Sequence, residues 1–85
     1  MEKININDYN ADMGILIDIS DPEDFEENNI FGSINIPYEK LLYHHKELLN
    51  KDSKYYICCN KGIKSRKIVN ILEAYGYNVA QLLKG

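Results

Sequence analysis

Tyr55-Tyr56-Ile57-Cys58-Cys59-Asn60-Lys61-Gly62-Ile63-Lys64-Ser65 joins an apolar run to the helical pattern Ile68-Val69-Ile71-Leu72 through a short basic turn with one glycine. It reads as a strand ending in a cysteine, then a loop, then a helix. Such a turn directs backbone N–H groups and the positive end of the helix dipole at the sulfur of Cys59. Those surroundings favour a thiolate, the nucleophilic form of cysteine. Cys58 and Cys59 point to opposite faces if they close a strand, so only one can face the loop. Cys59 is taken as that residue, and Cys58 as a small buried hydrophobe.

On either side the chain alternates apolar, β-branched runs with helical patterns. The expected fold is α/β, with a small, largely parallel sheet of about five strands flanked by helices. Ile4 and Ile6 mark a short edge strand, while Ile15-Leu16-Ile17-Asp18-Ile19 is nearly all apolar, as in a strand buried on both faces. Asp18 is conspicuous there, because a buried carboxylate requires partners. Ser20 or Asp21 can cap a short helix with Pro22 in its first turn and Phe25 as its core anchor. Its acidic residues Glu23, Asp24, Glu26 and Glu27 suit an amino end. Gly32 to Pro37 reads as a turn and a short strand that the proline stops. Leu41, Leu42, His45, Leu48 and Leu49 recur at helical spacing between Tyr38 and Asn50. The strand Tyr55 to Cys59 follows, and then a helix from about Ser65 to Tyr75 with Ile68, Val69, Ile71, Leu72 and Tyr75 inward. Gly76 is placed to end that helix in a left-handed turn, and Asn78 to Leu83 makes a last strand. No repeat or linker divides residues 1–85, so a single domain is expected.

Eighty-five residues, 45% of them hydrophobic and 27% charged, are enough for one core. A formal net charge of -3 argues against nucleic-acid binding, which needs an extended basic surface. The one basic concentration, Lys61, Lys64, Arg66 and Lys67, surrounds Cys59 and suits a small anion. No run approaches the ~20 apolar residues of a membrane span, and Met1-Glu2-Lys3 lacks the apolar core of a signal peptide, so a cytoplasmic protein without a membrane partner is expected. Adjacent cysteines cannot staple distant segments together. His44, His45, Cys58 and Cys59 are potential metal ligands. Helix neighbours diverge by about 100° and strand neighbours point oppositely, so the set does not converge and no metal is expected. His45 is placed on the apolar face and His44 in solvent.

Four segments in order resemble the rhodanese family of single-domain sulfurtransferases. Leu16-Ile17-Asp18-Ile19 followed by Pro22-Glu23-Asp24-Phe25 is similar to the family's early strand and helix start. Ile30-Phe31-Gly32-Ser33-Ile34-Asn35-Ile36-Pro37 is similar to its "H-I-P-G-A-I-N-I-P" block. Cys59-Asn60-Lys61-Gly62-Ile63-Lys64-Ser65 matches its active-site "C-x-x-G-x-R-S" loop with lysine for arginine. Gly76-Tyr77-Asn78-Val79 through Leu83-Lys84-Gly85 resembles its closing "G-Y-x-x-V-x-x-L-x-G-G".

The resemblance implies a sulfane-sulfur carrier. Cys59 would take sulfur from a small donor anion such as thiosulfate, hold it as a persulfide and pass it to cyanide, a thiol or a protein acceptor. No cofactor is implied. Asn60, Lys61, Gly62, Ile63 and Lys64 would form the anion-binding loop, supported by Ser65 and Asp18. The chain departs from the pattern at Ser20, where the family most often has arginine, and at Asn29 and Phe31. Lys64 keeps the charge but loses bidentate recognition of an oxyanion. Many relatives continue beyond the position of Gly85 into a final helix, which implies a less covered sheet. Phosphatase cousins of the fold carry an arginine six positions after the cysteine; counting from Cys59 that position is Ser65, which disfavours phosphoryl chemistry. Two rivals remain. One is a non-catalytic or weakly active module that binds a partner or senses oxidants. The other is a dithiol oxidoreductase using both cysteines, although a bridge between neighbours is strained.

Overall fold

The computed structural model describes residues 1–85. The sheet has five strands: β1 (Glu2–Asn5), β2 (Ile15–Asp18), β3 (Ile34–Asn35), β4 (Lys54–Cys58) and β5 (Asn78–Leu83). Their spatial order is β1-β5-β4-β2-β3, and all four pairings are parallel. Parallel neighbours need crossover connections, here supplied by three helices, α1 (Pro22–Glu27), α2 (Tyr38–Leu48) and α3 (Ile63–Ala74). Two short 3-10 turns, Ile6–Asp8 and Ala11–Met13, fill the connection from β1 to β2. No helix is long and apolar enough to cross a membrane.

Strand alternation divides the core between the two faces of the sheet. The larger cluster joins Ile17, Ile57 and Val79 to Leu41 of α2 and to Ile68, Val69 and Leu72 of α3. On the other face Leu16, Tyr56, Cys58, Ala80 and Leu82 pack with Ile4, Ile6, Tyr9 and Ile30. β4 lies at the centre, and its last residue, Cys58, is fully buried.

Several boundaries differ from the sequence reading, each for a local reason. β4 stops at Cys58, and α3 begins at Ile63 rather than near Ser65. Gly62 adopts a left-handed backbone, φ 77°, which turns the chain into the helix two residues early. Asp21 stands at the N-cap of α1 but its side chain makes no capping hydrogen bond, while Pro22 opens the helix. Phe25 is only half-buried and joins neither core cluster. With six residues and an acidic surface, α1 has no buried side chain. Leu48 and Tyr75 are also exposed, the latter stacked on His45. Gly76 ends α3 with φ 94°, and Tyr77 N–H donates to the carbonyl of Leu72.

Candidate active site

The carboxyl ends of β4 and β2 frame the site. Ile19 N–H donates to the Cys58 carbonyl at 3.0 Å, so the chain leaving β2 stays beside the chain leaving β4. Asn35 at the end of β3 adds two more ties, its side-chain amide donating to the carbonyls of Asp18 and Ser20 at 2.9 Å each. In open parallel sheets this edge is where crevices form between diverging loops. A cavity of about 320 Å³ opens here, with Cys59, Asn60, Lys61, Ile63 and Lys64 on one side and Ile19, Ser20, Asp21 and Asp24 on the other. A larger depression of about 470 Å³ near His45 and Tyr77 is lined by no cysteine and lies at the opposite end of the sheet, where β5 begins. Of these two, the smaller is the one that a cysteine lines.

Cys59 is the partly exposed sulfur of this cavity, and its Sγ accepts the backbone N–H of Ser65 at 3.3 Å. Ser65 lies in the first turn of α3, where N–H groups lack partners within the helix. The loop is braced from beneath. Gln81 Nε2 donates to the Gly62 carbonyl at 2.8 Å and to Ser65 Oγ at 2.9 Å, and Ser65 Oγ donates to the same carbonyl at 3.2 Å. Gln81 is the member of this constellation that sequence reasoning missed. Its signal was present: one amide interrupting the apolar run Val79-Ala80-Gln81-Leu82-Leu83.

The sequence-derived basic cluster does not stay together. Lys61 and Lys64 line the Cys59 cavity, with the Lys64 ammonium 5.5 Å from the centre of the Tyr38 ring. Arg66 and Lys67 turn to the adjoining cleft on the far side of the loop, because neighbouring helix positions diverge. Gly62 lines that second cleft and, with Cys59, Asn60 and Lys61, a further depression of about 270 Å³ beside Lys84, so the residues from Cys59 to Lys64 are shared among three clefts.

Asp18 is fully buried on the other face of the sheet and does not line the cavity. With Ser20 in place of arginine, its partners are the Ser20 backbone N–H at 2.9 Å and the Lys84 ammonium at 3.2 Å. Lys84 also donates to Asn60 Oδ1 at 3.1 Å, which links the carboxylate to the loop. Cys58 has its thiol pushed up to about 12, by burial first and then by the Asp18 carboxylate, against the pull of Lys84. It is protonated and inert at neutral pH. His45 shares a hydrogen bond of 3.0 Å with the Tyr77 hydroxyl, at the opposite end of the sheet from the cysteines, and His44 is exposed beside it.

The fold is thus a parallel α/β sheet that presents a cysteine on a braced strand-to-helix loop. The model of the rhodanese-like domain matches residues 3–85, and the chain belongs to that family. The "Uncharacterized protein YqhL" of Bacillus subtilis is 31% identical over 70 residues, which is 82% of this chain and 55% of that protein. The "Adenylyltransferase and sulfurtransferase UBA4" of Meyerozyma guilliermondii is 27% identical over 94 residues, covering 99% of this chain and 22% of that protein. The chain thus spans less than two thirds of either curated relative. Among solved structures, a rhodanese-related protein from Thermoplasma volcanium superposes with a TM-score of 0.88 at 29% identity, over 100% of this chain and 86% of that one.

Proposed function

We propose that this protein is a sulfurtransferase that carries sulfane sulfur as a persulfide on Cys59. The observation that supports it most is the Ser65 N–H aimed at Cys59 Sγ on the floor of a cavity flanked by Lys61 and Lys64. The cations draw in an anionic donor such as thiosulfate. The Cys59 thiolate attacks the donor's outer sulfur, a new S–S bond forms, and the old one breaks with its electron pair leaving on sulfite. N–H groups at the start of α3 stabilise the terminal sulfur of the persulfide. Cyanide or a thiolate then attacks that sulfur, and the electron pair of the broken bond returns to Cys59. The cycle is redox-balanced and needs no cofactor. The relative whose name includes sulfurtransferase supports the same reaction class.

Intact mass after incubation with thiosulfate tests this directly. The wild type is expected to gain one sulfur and Cys59→Ser none. A wild type that gains none, beside a sulfurtransferase that does under the same conditions, rules out thiosulfate as donor.

A binding-only module is the second reading, favoured by the wholly exposed ring of Phe31, 101% accessible, on the turn before β3. It predicts that the cellular role survives Cys59→Ser and is lost with Phe31→Ala.

A further inference from the structure

A second cleft of about 380 Å³ adjoins the Cys59 cavity, and its walls carry Lys3, Lys61, Arg66 and Lys67 with no carboxylate among them. All four cations are exposed. The ion pairs of the protein lie elsewhere, on Met1, Lys54 and Lys84, so nothing neutralises this group. Four of the ten basic residues of an acidic chain are thus held at one place beside the reactive loop. Their placement follows from the fold. Lys3 stands opposite Gln81 in the β1–β5 register, and the Gln81 amide holds the Gly62 carbonyl, which ties this edge of the sheet to the Cys59 loop. Lys61 lines both clefts, and Ile63 between them is 65% exposed.

We infer that this basic cleft is the docking surface for an acidic segment of a partner protein that receives sulfur from Cys59. The inference rests on the sulfurtransferase reading and names its acceptor class. Charge complementarity selects the occupant. Exposed cations spread over β1, the loop and α3 match a run of carboxylates better than one small anion, which requires convergent, buried donors. A nucleic acid is disfavoured because the opposite wall of the Cys59 cavity carries Asp21 and Asp24, which would repel a continuous phosphate backbone. That same asymmetry orients the partner. Its acidic run lies over the cations, its adjacent chain crosses the apolar rim at Ile63, and its thiol reaches Cys59. The partner's thiolate attacks the terminal sulfur of the Cys59 persulfide. The bond to Cys59 Sγ breaks, its electron pair returns to Cys59, and the partner leaves as the persulfide.

Two synthetic peptides test the surface, one of Asp and Glu ending in Gly-Cys and one with Asn and Gln replacing the acids. With persulfide-loaded wild type at low salt, kcat/KM for the acidic peptide should exceed that for the neutral one by about tenfold, and the two should converge towards ~0.5 M salt. The triple variant Lys3→Glu, Arg66→Glu, Lys67→Glu should lose this preference while its transfer to cyanide stays unchanged. Equal rates for both peptides with the wild type, or a preference that survives in the triple variant, overturns the inference. Fluorescence anisotropy with a labelled acidic peptide ending in Gly-Ser, titrated with Cys59→Ser protein, reads docking apart from chemistry. Salt-sensitive binding that the triple substitution abolishes supports the surface even where thiosulfate loads no sulfur, and in that case only thiosulfate falls, as the donor. An oligonucleotide of equal charge that binds as tightly as the peptide overturns the choice of a protein partner.

Discussion

Burial of the Asp18 carboxylate is sustained by two donors, the Ser20 backbone N–H and the Lys84 ammonium. Removing the ammonium leaves a buried charge with the Ser20 N–H as its remaining protein donor. The Lys84 side chain keeps 21% of its surface exposed, so water would enter part of the space and moderate the loss. Lys84→Met should therefore destabilise the fold by about 1–3 kcal/mol in urea unfolding. Adding Asp18→Asn should return part of that loss, because the orphaned charge disappears with its partner; a double variant as unstable as the sum of the singles would refute the pairing. Asp18 itself is legible in the sequence as a charge within an apolar strand. Its partner is not, since Lys84 lies 66 positions away and an ionic contact over that separation leaves no local pattern. Cys58, Cys59 and His45 are legible because strand alternation and helical spacing act between near neighbours.

The strand–loop–helix unit shows the same division. The buried stripe of α3, Ser65, Ile68, Val69 and Leu72, repeats at helical spacing, and that periodicity finds the helix. It misses the first turn, because Ile63 and Lys64 are exposed there and contribute nothing to the stripe. What sets the boundary is the Gly62 backbone at φ 77°. A Cβ at Gly62 would meet only Gln81 Nε2, at an ordinary 3.6 Å, so alanine meets no steric block and its cost is conformational. Gly62→Ala should lower stability by about 1–2 kcal/mol, and Gly62→Asn by less, because asparagine tolerates the left-handed region better. Equal losses for the two, measured by urea unfolding, would show that something other than backbone conformation determines the residue. The loop is thus specified twice, by a glycine the sequence displays and by the Gln81 brace that comes from a separate strand.

Across the fold, the two walls of the Cys59 cavity differ in how firmly they are held. The Cys59 wall springs from β4, paired on both sides and running out at the fully buried Cys58, and returns into α3, whose Ile68, Val69 and Leu72 are also fully buried. The facing wall continues into α1, which buries no side chain, and lies beside β3, a two-residue strand at the sheet edge. Backbone hydrogen bonds open most easily where few buried contacts cover them. Native-state hydrogen exchange should therefore find its slowest amides in β4 and in the buried part of β5, with exchange requiring global unfolding. Amides of α1 and β3 should exchange orders of magnitude faster, through local opening. Protection in α1 equal to that in β4 would contradict this division. The Cys59 sulfur and the Ser65 N–H that meets it belong to the better-buried wall, so local opening of the acidic wall would leave their geometry in place. On the sulfurtransferase reading proposed above, a cavity that widens on one side alone would admit a bulky acceptor without disturbing Cys59.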